Sequence, residues 1–444
     1  KASFVGDSLR GELPLNWYPV LDDQRGHILR RTPGLAVSVA INKNGFTERQ
    51  ILGLAAADDL WIAVKCDAYD NALGFTGDTP ANAYITRLTS IAAAGSYVWA
   101  LNVDPDAPYI QIEANDTDLC VCDGTGVWAI KQETPYTVTK QAFDGSSIAQ
   151  ADGYMIASVK NTGQFRISSL NDAFTWDPLD YGTAEGDQDN LLRILVDHRE
   201  LWAFGEKSTE VYANTGAADF PYQRAAGGFM EHGCAAANSP AKLDNSVYWL
   251  SDKRQVQRAS GYQPQIVSTR KFDRILSGFT TVNDAVGWGQ IYYGHAFYYL
   301  VFPTAKRTFV FDASTSMWHE RSWYNETSGE HDAYLARCYA YFGGVHYVGG
   351  TMSGTLYTMS DDNRDDAGTL IRRRIDAPEM VDPNGRVRLI HRSVEIEVEQ
   401  GMVDATDIGH MLEWSDDGGK TWTDPRTVSA GDIGAFSDRV IFRK

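Results

Sequence analysis

An all-β fold is predicted for this sequence, a β-propeller of about seven blades with a smaller β domain behind it, and three observations carry the prediction. Asn190 to Asp219 reads as a β-meander. Its apolar run Leu191 to Val196 meets the polar corner Asp197-His198-Arg199-Glu200; the run Leu201-Trp202-Ala203-Phe204 meets the turn Gly205-Glu206-Lys207-Ser208; the strand Thr209 to Tyr212 then alternates. The unit recurs: Met155, Trp202, Trp249, Tyr298 and Tyr347, each in the second strand of a unit, follow at intervals of 47, 47, 49 and 49 residues. A period near the length of one four-stranded blade marks a propeller, whose blades bury their faces against their neighbours. Composition agrees, since 12% aromatic residues and 40 glycines suit pleated, half-buried strands joined by tight turns.

Two earlier units fit the period less closely, one around Leu60-Trp61-Ile62-Ala63-Val64 and one around Leu119-Cys120-Val121-Cys122 with Gly126-Val127-Trp128. An insertion is expected between them, near Ser96 to Asn102. The blades are expected within residues 46–360, with six as the alternative count. Residues 1–45 carry Asn16-Trp17-Tyr18-Pro19 and Arg31-Thr32-Pro33-Gly34-Leu35 without the repeat and read as an extended docking arm. Residues 361–444 open with the charged linker Asp361 to Asp366. They continue with strands expected at Arg386 to Ile390, Ser393 to Glu399 and His410 to Trp414, a small β-sandwich-like domain. The chain opens at Lys1 and ends at Lys444 inside an apparent strand, Arg439 to Arg443, so further native sequence is expected beyond it.

Cys66, Cys120, Cys122, Cys234 and Cys338 are scattered and odd in number, without C-x-x-C spacing. That argues against a disulfide framework or a structural zinc site, and for folding in a reducing compartment. No apolar run reaches the roughly 18 residues of a membrane span, and no signal peptide opens the chain. Forty basic against 58 acidic residues give a net charge of −18, unsuited to gripping nucleic acid through its phosphates. An acidic wall beside a DNA channel would repel a duplex and let it slide; solubility of a large assembly subunit explains the charge equally well.

Several motifs invite a chemical reading. Gly6-Asp7-Ser8-Leu9 with Asp407-Ile408-Gly409-His410 matches the first and last blocks of the GDSL hydrolases, a nucleophile, a base and an orienting carboxylate. The G-x-N-D block is absent, because Asn115-Asp116, Asn171-Asp172 and Asn283-Asp284 lack its glycine. The alternating strands and helices of that fold are missing too. Ser415 to Trp422 is a full S-x-D-x-G-x-T-W Asp box, expected as a hairpin turn with Trp422 packed beneath. Sialidases carry several on a propeller; here there is one copy, outside the repeat. Gly205-Glu206-Lys207-Ser208-Thr209 lacks the first glycine of a phosphate loop and reads as a hairpin turn. His198, between Asp197 and Glu200, reads as a turn residue. Arg372-Arg373-Arg374 with Arg386, Arg388 and Arg392 form the one basic cluster, a solvated strand edge or a dock for an acidic partner.

Longer segments carry a family resemblance. Asn190 to Arg224, Glu231 to Thr269 and Tyr298 to Arg321 resemble the packaged-DNA stabilization proteins of short-tailed phages, also called tail hub or tail accessory proteins. The N-x-Y-P and T-P-G-L pieces at Asn16 to Pro19 and Thr32 to Leu35, and Leu412 to Trp422, fit as well. The likeness is close over residues 148–320 and loosest over 46–145.

The resemblance implies a structural role in the virion tail, after assembly in the host cytoplasm. Such proteins form a ring, usually a hexamer, below the portal and its adaptor ring. They extend the DNA channel, help retain the packaged double-stranded DNA without reading its sequence, and carry the tail needle and tailspikes. No catalytic residue, cofactor or metal is implied. Candidate interface residues are Trp17, Tyr18, Arg30 and Arg31 in the arm and Arg372, Arg373, Arg374, Arg386, Arg388 and Arg392 in the basic cluster. The competing readings are a propeller glycosidase or esterase and a receptor-binding module, both acting on host surface glycans.

Overall fold

A computed structural model describes residues 13–22, 26–41, 48–66, 83–88, 96–101, 103, 107, 109–132, 137–377, 390–398, 409–429, 434 and 439–443. They form two compact units that divide between Asp376 and Ala377.

The first unit is a seven-bladed propeller; six blades are four-stranded antiparallel sheets, and in the seventh two short strands, Asp365–Asp366 and Thr369–Leu370, extend the sheet to six. Blade 1 comprises Glu48–Ala56, Leu60–Cys66, Ala83–Leu88 and Ser96–Leu101; blade 2, Gln111–Ala114, Asp118–Cys122, Val127–Lys131 and Val138–Lys140. Blade 3 comprises Gly145–Ala151, Tyr154–Val159, Gln164–Ile167 and Tyr181–Thr183; blade 4, Leu191–Asp197, Glu200–Gly205, Thr209–Asn214 and Tyr222–Met230. Blade 5 comprises Ala241–Leu243, Ser246–Leu250, Val256–Ser260 and Gln263–Ile266; blade 6, Val286–Tyr292, His295–Phe302, Arg307–Asp312 and Met317–Arg321. Blade 7 takes Ala336–Phe342, Val345–Gly350 and Thr355–Ser360 from the end of the unit, and its fourth strand, Gly34–Ala40, from the beginning.

Local sequence explains the hairpins. Asp152-Gly153, His198-Arg199, Asp244-Asn245, Tyr293-Gly294 and Gly343-Gly344 all have positive φ at both positions. That is the two-residue type I′ turn, whose twist matches the flanking strands. The polar corner at His198 is such a turn. In the next turn of blade 4, Gly205 N–H donates to Ser208 O at 2.8 Å, and Asp189 accepts from the N–H groups of Lys207 (2.6 Å) and Ser208 (3.0 Å). The sequence resembling a phosphate loop is therefore a carboxylate-capped hairpin.

Met155, Trp202, Trp249, Tyr298 and Tyr347 all lie on second strands and are at most 4% exposed. Seven apolar clusters fill the seven seams between consecutive blades. Leu52, Trp61 and Ile112 belong to the seam between blades 1 and 2; Phe204, Met230 and Trp249 to that between 4 and 5; Ile51, Ile62 and Tyr347 to that between 7 and 1. Cys120 and Cys122 face blade 3 together, as alternation in one strand requires. Between blades 5 and 6 the helix Arg270–Ser277 adds Phe272 and Leu276, Phe272 stacking on Trp318 at 4.2 Å.

Inside these clusters, polar bonds cross every seam. Ile110 N–H donates to Leu52 O. Ser147 Oγ donates to Gln111 Oε1 and to Ile194 O, joining blades 2, 3 and 4. Arg193 Nη1 donates to Asn238 Oδ1, Tyr298 Oη to Ser239 O, and Arg337 Nη1 to Gln50 Oε1, while Gln290 Nε2 lies 3.3 Å from His346 Nδ1. These partners across the seam offset much of the cost of burying the groups, while Arg193 Nε and Gln290 Oε1 have no hydrogen-bond partner among the described residues.

The structure departs from the expected segmentation in three places. Ser96–Leu101 is not an insertion: it is the outer strand of blade 1, paired with Ala83–Leu88. The arm expected over 1–45 is split, because Gly34–Ala40 pairs antiparallel with Thr355–Ser360 and closes the ring. The linker expected from Asp361 stays with the propeller, Asp366 bridging to Leu35.

The second unit pairs Ser393–Ile396 with Val440–Arg443 and Gly409–Leu412 with Arg426–Ser429. Val440 and Phe442 are buried. The strand expected at Arg386 to Ile390 falls, except for Ile390, outside the described residues. Among the described residues no helix is long and apolar enough to cross a membrane.

The tightness of the seams is testable at Gly287, on the first strand of blade 6, where an added Cβ would fall against the backbone of Ser239 in blade 5. Gly287→Ala is expected to lower the unfolding free energy by about 2–4 kcal/mol at unchanged m-value in urea melts. A variant as stable as the parent would show that the seam can open to admit a methyl group.

Candidate interaction surface

Residues 13–16 run along the outer strand of blade 6. Asn16 N–H donates to Glu320 O at 2.8 Å, Glu320 N–H to Pro14 O at 2.9 Å, and Leu15 exchanges backbone bonds with Arg374 at 2.9 and 3.1 Å. Asn16 ties the junction. Fully buried and at φ +57°, it donates from Nδ2 to Ser322 O (3.1 Å) and Arg372 O (2.8 Å) and accepts from Ser322 N–H (3.0 Å). Asparagine tolerates the left-handed conformation better than most residues, so backbone and side chain favour the same residue.

The chain then makes a hairpin, Trp17–Asp22 paired with Gly26–Arg31. Tyr18 points inward against His295 and Phe297, both at 5.2 Å. It is 1% exposed, and burial pushes its hydroxyl up to about 12. Proposed from sequence as an interface residue, Tyr18 is instead part of the seam between blades 6 and 7, because alternation turns Trp17 and Tyr18 to opposite faces of the hairpin. Trp17 lies 5.5 Å from the Arg373 guanidinium.

The structure brings the two sequence-predicted groups together. Arg30 pairs with Asp361 at 3.0 Å and lies over the exposed ring of Tyr293. Arg31 donates to Asp361 O. Arg372 lies 4.0 Å from the ring centre of Tyr324, and Arg374 pairs with Asp376 at 2.7 Å. Trp17, Arg30, Arg31, Arg372, Arg373 and Arg374 thus line one rim at blades 6 and 7, much of their bonding capacity used within the chain. Arg386 and Arg388 fall outside the described residues, and Arg392 is exposed in the second unit.

Beneath this rim sit charges that sequence reasoning missed. Arg321, 1% exposed, donates to Pro33 O (3.0 Å) and to Tyr334 Oη (2.7 Å), pinning the chain just before the closing strand. Asp366, equally buried, has its carboxyl pushed up to about 6 by burial, against the opposing pull of Arg321 and Arg373. Burial also draws Arg373 down to about 10. Nothing local in the sequence distinguishes these residues from surface charges; their burial follows from chain ends meeting across more than 300 residues.

The chemical motifs fare differently. Gly6 to Leu9 and Asp407 lie outside the described residues. In the Asp box, Asp417 accepts from the N–H groups of Lys420 and Thr421 at 2.9 Å, and from Thr421 Oγ1 and Ser415 Oγ at 2.7 and 2.8 Å. These bonds hold its carboxyl down to about 2. The turn is as expected, and Trp422 stays 51% exposed, its ring edge near Gly419 of the turn. Among the described residues no three His, Cys, Asp or Glu side chains converge as metal ligands do.

Comparison with known families covers both units. Residues 83–364 match the family model described as bacteriophage P22 Gp10, beta-propeller, and residues 375–444 that described as bacteriophage P22 Gp10, beta-sandwich. The chain belongs to the P22 Gp10 family. It is a family of phage structural proteins, and the propeller and small β domain expected from sequence are its two parts. No curated protein sequence matches the chain. Among solved structures, it is similar to BamB from Moraxella catarrhalis (11% identity, 73% of this chain and 97% of that chain, TM-score 0.38). Others are Kluyveromyces lactis Hsv2 (10%, 61% and 97%, TM-score 0.35) and the computationally designed Ika8 protein (10%, 73% and 99%, TM-score 0.40).

Two outcomes test the rim. Asn16→Ala removes a buried side chain with three bonds and is expected to cost about 2–4 kcal/mol. Faster amide exchange at residues 17–31 than in blades 2 to 5 would accompany it; an unchanged exchange pattern would show that Asn16 does not hold the hairpin. For Asp366, the folded carboxyl binds its proton more tightly than the unfolded one, so stability falls as pH rises through about 6. Measured against Asp366→Asn, the parent is expected to lose about 1.4 kcal/mol between pH 5 and 7, one unit of pKa. A flat difference would mean that the Arg321 pair keeps Asp366 ionised throughout.

Proposed function

We propose that this chain is a structural protein of the phage tail that acts by assembly and shape, with no catalytic step. On this reading copies of it form a ring, a hexamer by the resemblance, below the portal and its adaptor. The ring extends the DNA channel, stabilises packaged DNA, and carries the tail needle or tailspikes. The observation that carries the reading is membership of the P22 Gp10 family over both the propeller and the small β unit.

The physical properties support it. Each blade is bonded to the next at an inner polar contact and an apolar cluster, which makes a stiff disc suited to transmit load. A ring multiplies modest contacts between copies into a closed assembly. The net charge of −18 suits a wall past which a duplex slides. The rim at blades 6 and 7, with the exposed guanidinium of Arg372 on Tyr324, is the first surface to test for docking.

Mixing the purified chain with a portal–adaptor complex and weighing the product by native mass spectrometry tests the reading. A discrete product with a fixed number of copies is expected, and Arg372→Glu should weaken its formation about ten-fold or more. Absence of association under conditions where the adaptor binds its portal would refute it.

A further inference from the structure

The hairpin of residues 17–31 rests on two histidine rings. Tyr18 lies 5.2 Å from His295 and 6.1 Å from His319, and Phe297 completes the group, 5.5 Å from His295 and 5.7 Å from His319. His319 pairs with Val310 across blade 6, so it shares the face that Val310 turns toward Tyr18 in the seam between blades 6 and 7. It is 1% exposed, and its Nδ1 has no hydrogen-bond partner among the described residues.

The charges around this ring favour its neutral form. Arg321, two residues along the same strand and so on the same face, is a buried and permanent cation. His295 Nδ1 lies 2.7 Å from Asp312 Oδ2, and Asp312 also accepts from Ser314 N–H and Thr315 Oγ1, both at 2.9 Å. Glu320 turns to the opposite face and holds Arg307 through two bonds of 2.6 Å. On the hairpin, Arg30 stands opposite Tyr18 and pairs with Asp361 at 3.0 Å. Tyr299, Tyr334 and Asp366 answer Arg321. Burial, then Arg321, then His295 hold His319 well below the ordinary histidine range. None of these carboxylates bonds to His319, so a proton there would place an unpaired charge beside a buried guanidinium, which is costly.

That proton is therefore taken up where the ring reaches water, and the hairpin is its cover. The hairpin is a two-stranded sheet of its own, so it can lift without breaking a blade. We infer that the hairpin of residues 17–31 is an acid-released latch: protonation of His319 lifts Tyr18 off blade 6 while the blades stay folded. Opening frees Arg30 and Arg31 from Asp361 and bares Phe297 at the rim. It also loosens the approach to the closing strand, because Arg31 leads directly into Pro33, whose carbonyl Arg321 holds.

The sign follows from the two states. The closed ring binds its proton less tightly than the open one, so closure is complete above the open value of about 6.5 and weakens as pH falls. Asp366 acts in the opposite sense, since its raised value favours the folded form as pH falls.

Hydrogen exchange on the intact chain, corrected for the intrinsic rate at each pH, tests the latch. Between about pH 7.5 and about pH 5, protection of residues 17–31 is expected to fall about thirty-fold, ten-fold for each unit below about 6.5, while blades 2 to 5 keep theirs. His319→Phe, close in size and unable to titrate, is expected to keep the hairpin protected at both. Unchanged protection in the parent overturns the inference, as does a loss shared by all blades, which is acid unfolding of the whole. A loss that persists in His319→Phe overturns it too and passes the role to His295, His331 or His346. Should His319→Phe not fold, the parent is compared with His331→Asn and His346→Asn, and a loss that disappears in either overturns the assignment to His319.

Discussion

Closure of the ring is the constraint on which the rest of this molecule depends. A four-stranded blade is apolar on both faces, and seven of them satisfy one another only when the last meets the first. Here the seam between blades 7 and 1, with Ile51, Ile62 and Tyr347, exists only if blade 7 is complete. Its outer strand comes from the opposite end of the unit. Gly34–Ala40, paired with Thr355–Ser360, therefore holds the whole circle. Arg321, Asp366 and Asn16 hold that strand in turn, and at this rim two buried charges, Arg321 and Asp366, serve the closure itself.

This explains why the residues singled out from sequence meet at one place and why several of them are tied up in holding the fold. An aromatic arm and an arginine run were visible as separate features. Their meeting was not, because nothing local encodes a contact between residue 16 and residue 372. Nor could composition show that Tyr18 is core or that Asp361 satisfies Arg30. What remains outward after the internal pairing is Arg372 on Tyr324, with Arg374 and the ring of Tyr293. The surface open to a partner is smaller and more aromatic than a count of arginines suggests.

The blades were legible because their signal is short-range. One buried aromatic or apolar residue per second strand and, in blades 3 to 7, one type I′ turn between first and second strands repeat at a nearly constant interval, and the five residues used to count them all fall on second strands. Legibility fails where spacing is disturbed. Blade 1 has its second and third strands separated by the long connection after Cys66, so its outer strand, Ser96–Leu101, falls out of phase and reads as an insertion. The closing strand fails for another reason. Seven residues with one alternating face look alike whether they lie on a partner or within a blade, and only pairing across the chain decides.

Closure also orders the chain in time. Blades 2 to 6 are built from hairpins whose partners lie within a few tens of residues, so their loop-closure cost is low. Blade 7 requires residues 34–40 to wait for residues 355–360. Long-range pairing of this kind is slow relative to local hairpins. Until it happens the outward faces of blades 1 and 7 leave Ile51, Ile62, Cys338 and Tyr347 without partners. The polar pins at Asn16 and Arg321 do not add apolar burial to that step; they add direction, because their hydrogen bonds can be made only in one register. A slip of the closing strand by one residue would turn Leu35 away from the seam and leave Arg321 without Pro33 O. Specifying that register is the return for burying charge at this rim, and it accounts for a cluster that hydrophobic packing alone would have made dry.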